Sequence, residues 1–246
     1  MCRYQILIEY VGTSYVGWQI QKKGNSIQKT VQLALSRLLK EKIKLYGSGR
    51  TDAGVHALEQ SAHFDVKNKI QNINRIVKSL NFFLNNKMIS IINIKKKKNN
   101  FHARYSAKER VYLYIIQNRL SLSTVFKDRE WHIRKKLDIN LIKKGAKKLI
   151  GTHDFSTFRA SNCSAKSPIR TINNIIVIKS KNRIKLKFKS KSFLKNQVRS
   201  MVGCLKYLGE KKWDLIKFKD AINKKDRKEV APPAPACGLY LEKIIY

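Results

Sequence analysis

The 246-residue sequence predicts an α+β protein made of two ferredoxin-like or RRM-like β-α-β-β-α-β halves, with adjoining antiparallel sheets and a cationic cleft between them. Three observations predict it. Apolar residues spaced by two alternate along the chain with apolar residues spaced by three and four. The order of those segments in the first hundred residues returns in the remainder. Positive charge is spread through both parts: 22 basic and 6 acidic residues stand up to position 123, and 31 and 10 after it, so the halves carry +16 and +21.

In the first half, residues 4–11 alternate as a strand, with Tyr4, Ile6, Ile8 and Tyr10 on one side. Ser26 stands as an N-cap before Ile27, Val31, Leu35, Leu38 and Leu39, which share a helical face. A short strand is expected at 43–46, then a Gly-rich loop over 47–54 and a strand at 60–66. Ile73, Ile76, Val77, Leu80 and Leu84 make the next helix, and 88–94 a further strand.

The second half repeats the order. Val111 to Gln117 is a strand; Asp138 caps a helix carrying Ile139, Ile142, Ala146 and Leu149, which Gly151 is expected to stop. Strands follow at 171–179 and 183–189. The latter sets Ile184, Leu186 and Phe188 against Lys185, Lys187 and Lys189, a one-sided strand with a cationic outer face. Helices are expected from Phe193 to Leu208 and from Trp213 to Ile222, then a break at Pro232, Pro233 and Pro235 and a last strand at 238–245. The halves are set at 1–100 and 101–246, joined near 98–107. A single α+β domain without duplication is the simpler alternative.

Composition narrows the class. A hydrophobic share of 43% with 9% aromatics excludes a disordered polybasic tail as a description of the whole. No run of 18 apolar residues is present, so no transmembrane helix is expected, and the N-terminus lacks the pattern of a secretory leader. The expectation is a soluble cytoplasmic protein with no membrane association. The four cysteines, Cys2, Cys163, Cys204 and Cys237, lie far apart with no C-x-x-C pair, which speaks against a zinc site and against a disulfide framework. A net charge of +37 draws polyanions at long range, nucleic acid foremost. Biased Lys, Ile and Asn usage is the bland account of that charge, with Lys95 to Lys98 as one solvated loop. Paired sheets with basic faces suit an RNA stem contacted through shape and phosphates.

One segment stands apart. Gly47-Ser48-Gly49-Arg50-Thr51-Asp52-Ala53-Gly54-Val55-His56-Ala57 packs three glycines, an arginine, an aspartate and a histidine between two strands. It fits neither the P-loop nor the G-x-G-x-x-G pattern. Asp52 is the sole acid between Glu41 and Glu59, and surrounding cations would hold it ionised, as a carboxylate nucleophile must be. A lone carboxylate speaks against a two-carboxylate glycosidase and against two-metal phosphoryl chemistry. By itself the pattern reads first as an aspartate capping a turn. His56 reads as a hydrogen-bonded structural residue, and Trp18 and Trp131 as packing.

GRTDAGVHA, with Gly17-Trp18-Gln19 and Gln21 upstream, resembles the bacterial tRNA pseudouridine synthase A (TruA) family. So do FHARYSAKERVYLYII (101–116), GTHDFSTFRA (151–160), FLKNQVRSMVG (193–203) and APACGLYL (234–241), in the same order, so that the resemblance spans almost the whole chain. It implies isomerisation of uridine to pseudouridine at positions 38, 39 and 40 of the tRNA anticodon stem-loop, by a homodimer that needs no cofactor and no metal. It implies Asp52 as the nucleophile. It also implies Tyr112 as the tyrosine that stacks on the target base, and Arg199 as the arginine that pairs with the aspartate and helps fill the vacated helix space. Arg50 is expected to fix the loop or contact phosphate, and Leu241 to line the base pocket. Two departures from the family pattern bear on stem contacts rather than on the reaction: Lys195-Asn196-Gln197 stands where related sequences often carry histidines, and Cys237 where an acid is common. A non-catalytic RNA-binding protein on an RRM-like scaffold is the rival from another class, and a synthase for a different RNA is the second.

Overall fold

The computed structural model describes residues 1–246 and divides into two compact units, Met1–Lys108 with Tyr240–Tyr246, and Glu109–Leu239. The first unit opens with β1 (Cys2–Tyr10), α1 (Ile27–Leu39), β2 (Tyr46–Gly47), β3 (His56–Val66), α2 (Ile73–Leu84) and β4 (Ile89–Lys97). The second holds β5 (Glu109–Asn118), β6 (Trp131–Ile133), α3 (Ile139–Lys148), β7 (Gly151–Asp154), β8 (Ile169–Ser180), β9 (Arg183–Ser190), α4 (Gln197–Gly209) and α5 (Leu215–Asn223). The last strand is β10 (Leu239–Ile245). No helix is long and apolar enough to cross a membrane.

In the first unit β1 lies between β4 and β3, antiparallel to both, and β2 pairs with β3. The order β4-β1-β3-β2 is the ferredoxin-like one, so the expected α+β class is borne out. The predicted alternation on β1 places Tyr4, Ile6, Ile8 and Tyr10 in the core, with the Tyr4 and Phe64 rings stacked 5.8 Å apart. Ser26 and Asn72 cap the two helices by accepting from the N–H groups of Lys29 and Arg75. β10 joins β3 in parallel, Tyr240 beside His56 and Leu241 beside Ala57.

The expected strand at 43–46 shrinks to Tyr46–Gly47, for a physical reason. The Ile43 and Leu45 N–H groups bond the side chains of Ser36 and Gln32, and the Leu45 carbonyl accepts from Gln28. Helix α1 thus takes up the backbone valences that a ladder would have used. Lys95 to Lys97 are not a loop: they are the end of β4, in register with Gln5, Tyr4 and Arg3.

In the second unit β9 lies between β5 and β8, β7 flanks β8, all antiparallel, and the short β6 runs parallel to β5. Ile184, Leu186 and Phe188 are buried as their spacing predicts. Asp138 caps α3 through both Asn140 and Leu141 N–H groups. The helix ends at Lys148, ahead of Gly151, whose φ of +111° opens β7 instead. Helix α4 begins at Gln197 rather than Phe193, because Asn196 sits in the left-handed region at φ 63° and interrupts the helical backbone before it. Helix α5 begins after Asp214, which caps it.

Candidate active site

The loop between β2 and β3 is held by its own flanks. Ser48 N–H donates to the Ser61 carbonyl at 2.8 Å, Ser48 Oγ donates to Gln60 Oε1 at 2.8 Å, and Gln60 Nε2 donates to the Gly49 carbonyl at 3.0 Å. Ser48 and Gln60 are buried, so these bonds form out of competition with water.

A second strap is the Gly17-Trp18-Gln19 segment. Trp18 N–H donates to the Thr51 carbonyl at 3.0 Å, and Arg50 Nε donates to Gln19 Oε1 at 3.2 Å. Gly17 has φ +107°, and a β-carbon there would come within 2.5 Å of the Thr51 carbonyl oxygen. A β-carbon at Gly12 would meet the Val55 carbonyl oxygen at 2.0 Å. Both approaches require glycine. The Trp18 ring is buried and stacks near Tyr10, and the Tyr10 phenol lies 2.8 Å from Thr51 Oγ1.

Asp52 therefore sits in a turn held on the Thr51 side by Trp18 and Tyr10 and on the Val55 side by its own main chain. The turn is closed by Val55 N–H donating to the main-chain carbonyl of Asp52 at 3.1 Å. Asp52 is half-buried, and this closure runs through its main chain rather than its carboxylate. His56 is the structural residue its context suggested: buried, with Nδ1 accepting from Gly12 N–H at 3.0 Å and its ring 4.8 Å from that of Tyr240. Leu241 is fully buried on β10, beside Ala57. Asp52, Arg50 and Leu241 thus all belong to the first unit.

Tyr112 and Arg199 belong to the second. Tyr112 lies on β5 opposite Phe188, half-buried, with its ring edge-on to Phe193 at 5.2 Å. Arg199 lies on the first turn of α4. Its Nε donates to the Ala234 carbonyl at 2.7 Å, its Nη1 donates to Asn196 Oδ1 at 3.3 Å, and Ala234 N–H returns a bond to the Arg199 carbonyl at 2.9 Å. The guanidinium is thereby oriented on two sides, which a planar fork permits. Tyr114, two residues on from Tyr112, donates its phenol to the Pro235 carbonyl at 2.8 Å, and burial raises its pKa well above the ordinary value.

Sequence reading missed the grip of Asn196 on Arg199 and of Tyr10 on Thr51. The first carried a signal, an asparagine at a helix entrance; the second did not, because a tyrosine on a core strand face announces only packing.

A profile described as tRNA pseudouridine synthase matches the chain over residues 6–106 and 146–246, most of its length. The tRNA pseudouridine synthase A of Pelagibacter ubique (strain HTCC1062) is 63% identical over 246 residues, all of both chains. The chain belongs to the tRNA pseudouridine synthase family. Pseudouridine synthases are isomerases, so the class expected from the motifs is borne out. The tRNA pseudouridine synthase A of Neorickettsia sennetsu (strain ATCC VR-367 / Miyayama) is 43% identical over 244 residues, 99% of this chain and 100% of that one. The profile's two segments fall on the two halves of this tRNA pseudouridine synthase family chain, consistent with the repeated order of elements. A chain in the crystal structure of a Cbf5-Nop10-Gar1 complex overlays with a TM-score of 0.35 at 10% identity, over 92% of this chain and 68% of that one, too loose a likeness to bear on the site.

Proposed function

We propose that this protein converts uridine to pseudouridine at positions 38, 39 and 40 of the tRNA anticodon stem-loop, with Asp52 as its nucleophile. The observation that carries the reading is the setting of Asp52: a carboxylate left out of the turn's own hydrogen bonds, in a loop otherwise braced on both flanks. Rigid backbone around a half-buried, structurally idle carboxylate is what preorganised nucleophilic catalysis needs.

The reaction breaks the N1–C1′ bond, turns the uracil in place and joins C5 to C1′; C5 loses its proton and N1 gains one. Attack at C1′, addition at C6 and assistance through a glycal all begin from an ionised Asp52. A uridine inside a stem is out of reach, so the nucleotide must leave the stack, at a cost of roughly a few kcal/mol. We assign Tyr112 to stacking on the extruded base. Arg199 is assigned to steadying the aspartate and filling the emptied position, Leu241 to the wall of the base pocket, and Arg50 to the loop and the RNA backbone. The reading extends to a homodimer acting in the cytoplasm, where tRNA is found; light scattering that gives a fully active monomer would remove the dimer.

The test is tritium release from tRNA labelled with [5-³H]uridine, wild type beside Asp52→Asn. Release by wild type alone, with tRNA affinity kept in the variant because phosphate contacts dominate binding, supports the assignment. Tight binding without release from any tRNA would make this a binding protein and overturn it.

A further inference from the structure

Beside the catalytic loop, the first unit carries a ladder of rings that the reaction as proposed does not use. Tyr46 stacks on His63 with centroids 5.0 Å apart and planes 17° apart; His63 meets His102 edge-on at 4.5 Å, planes 63° apart; His102 meets Tyr105 at 4.4 Å, tilted by 35°. The inner rung is buried and the ends are open: Tyr105 is 76% exposed and Tyr46 44%. Tyr46 directly precedes the Gly47–Val55 loop in the chain.

The ladder is braced from beneath. Arg3 holds the Asp65 carboxylate through Nε and Nη2 at 2.8 and 2.7 Å, and its Nη1 reaches the carbonyls of Asn99 and Phe101. Ala103 N–H donates to His63 Nδ1 at 3.1 Å, and the Tyr246 phenol donates to the Ala103 carbonyl and lies 2.7 Å from Ser61 Oγ. The segment bearing His102 and Tyr105 is thus fixed before any ligand arrives, which lowers the ordering cost of binding. Burial takes the His63 pKa down to about 4 and lowers that of His102, so both rungs are neutral rings at neutral pH. The rim is cationic: the Arg104 guanidinium is 5.6 Å from the Tyr105 ring, and Lys97 Nζ is 5.2 Å from that of Phe101.

Flat neutral rings open to solvent, inside a cationic rim on a chain of net charge +37, match one ligand chemistry: a nucleobase on a polyanionic backbone. An apolar protein partner would favour a contiguous aliphatic patch without that rim. We propose that Tyr46 and Tyr105 form a stacking platform for unpaired nucleobases of the RNA substrate, a site separate in its residues from the Asp52 turn. The proposal rests on the RNA-modifying reading above and names a part of the RNA, its unpaired bases, that the reading left unassigned.

The probes are a short single-stranded RNA carrying 2-aminopurine, and a blunt RNA duplex of equal length. Tyr105→Ala should weaken single-strand binding about tenfold and relieve the quenching of 2-aminopurine, the low end of what a base–aromatic stack contributes. Tyr105→Phe should stay within about twofold of wild type, because the ring and not the hydroxyl does the work. Duplex affinity and the salt slope of binding should not move, since no phosphate contact is removed. Unchanged single-strand binding in Tyr105→Ala, equal losses in the Phe and Ala variants, or an equal loss on the duplex would each overturn the platform. Tyr46→Ala repeats the test at the other end; should it not fold, Tyr105→Ala, with its ring largely in solvent, carries the decision. Tritium release is read in the same preparations. No release by wild type with Tyr105-dependent single-strand binding discards the catalytic reading and keeps the platform. Normal release with Tyr105-independent binding discards the platform alone.

Discussion

The Tyr10 phenol lies 2.8 Å from Thr51 Oγ1, in a buried contact that ties the end of the first strand to the residue before the proposed nucleophile. Core and proposed catalytic loop are therefore one mechanical unit: the ring that stacks near Trp18 also sets the side chain of Thr51, whose carbonyl Trp18 holds from the other side.

Tyr10→Phe keeps the ring and deletes the hydroxyl. It leaves Thr51 Oγ1 buried without that partner, which costs about 1–2 kcal/mol. The urea midpoint should fall with an unchanged denaturant slope. Turnover should fall while tRNA affinity holds, since the change touches no phosphate contact. A variant with wild-type midpoint and wild-type turnover would show that the contact steadies nothing.

Gly17→Ala tests the strap. The backbone at φ +107° disfavours any β-carbon, and the new methyl would sit 2.5 Å from the Thr51 carbonyl oxygen, so loop and strap must part. A displacement of about 1 Å at a reacting group can cost on the order of 100-fold in rate. Single-turnover kinetics should show a loss of that order, with tRNA binding reduced far less.

Much of this was legible beforehand, and the reasons differ from residue to residue. Ser26 and Asp138 marked helix starts because a cap is a local matter between a side chain and N–H groups two or three residues on. The Gly47–Val55 loop stood out because its glycines and its solitary acid have no structural reason to gather on a strand. Residues 43–45 misled, because Ser36, Gln32 and Gln28 reach back from a helix to satisfy their backbone, and nothing in an alternating Ile43–Leu45 pair reports that. Trp131–Ile133 went unseen for want of length. The ladder from Tyr46 to Tyr105 was invisible for a third reason: its rungs are brought together by pairing across the sheet and by the Arg3 clasp, and their separation in sequence carries no period.

Arg199 offers a test of geometry against charge. Arg199→Lys keeps the positive charge but cannot donate at once to the Ala234 carbonyl and to Asn196 Oδ1 from a planar fork. Losing one charge-assisted hydrogen bond corresponds to roughly 10- to 100-fold in turnover. Asn196→Asp, which retains the acceptor and tolerates the left-handed backbone, should stay close to wild type. Asn196→Gly keeps the backbone and loses the acceptor, so it should move partway toward Arg199→Lys. Full activity in Arg199→Lys would reduce the arginine to a surface charge.

His63 links the first unit to pH. Burial, reinforced by the positive charge of its neighbours, lowers its pKa to about 4 from an ordinary value of 6.5. Between those values the unfolded chain binds a proton that the folded chain refuses, so this contribution to stability is complete above about pH 6.5 and is lost as pH falls toward 4. Asp65 acts lower on the scale. The Arg3 guanidinium holds its carboxyl below the usual range, so its share persists above the unfolded carboxylate pKa and fades only as pH falls through the folded one. His63→Gln removes the titration, while its amide oxygen can still accept from Ala103 N–H. Urea midpoints at pH 7, 6, 5 and 4.5 should decline for wild type and decline less for the variant over that window, with the steeper loss at still lower pH common to both. Parallel curves through pH 6.5 to 4.5 would mean that His63 stays charged within the core and that the ladder stands on a cation.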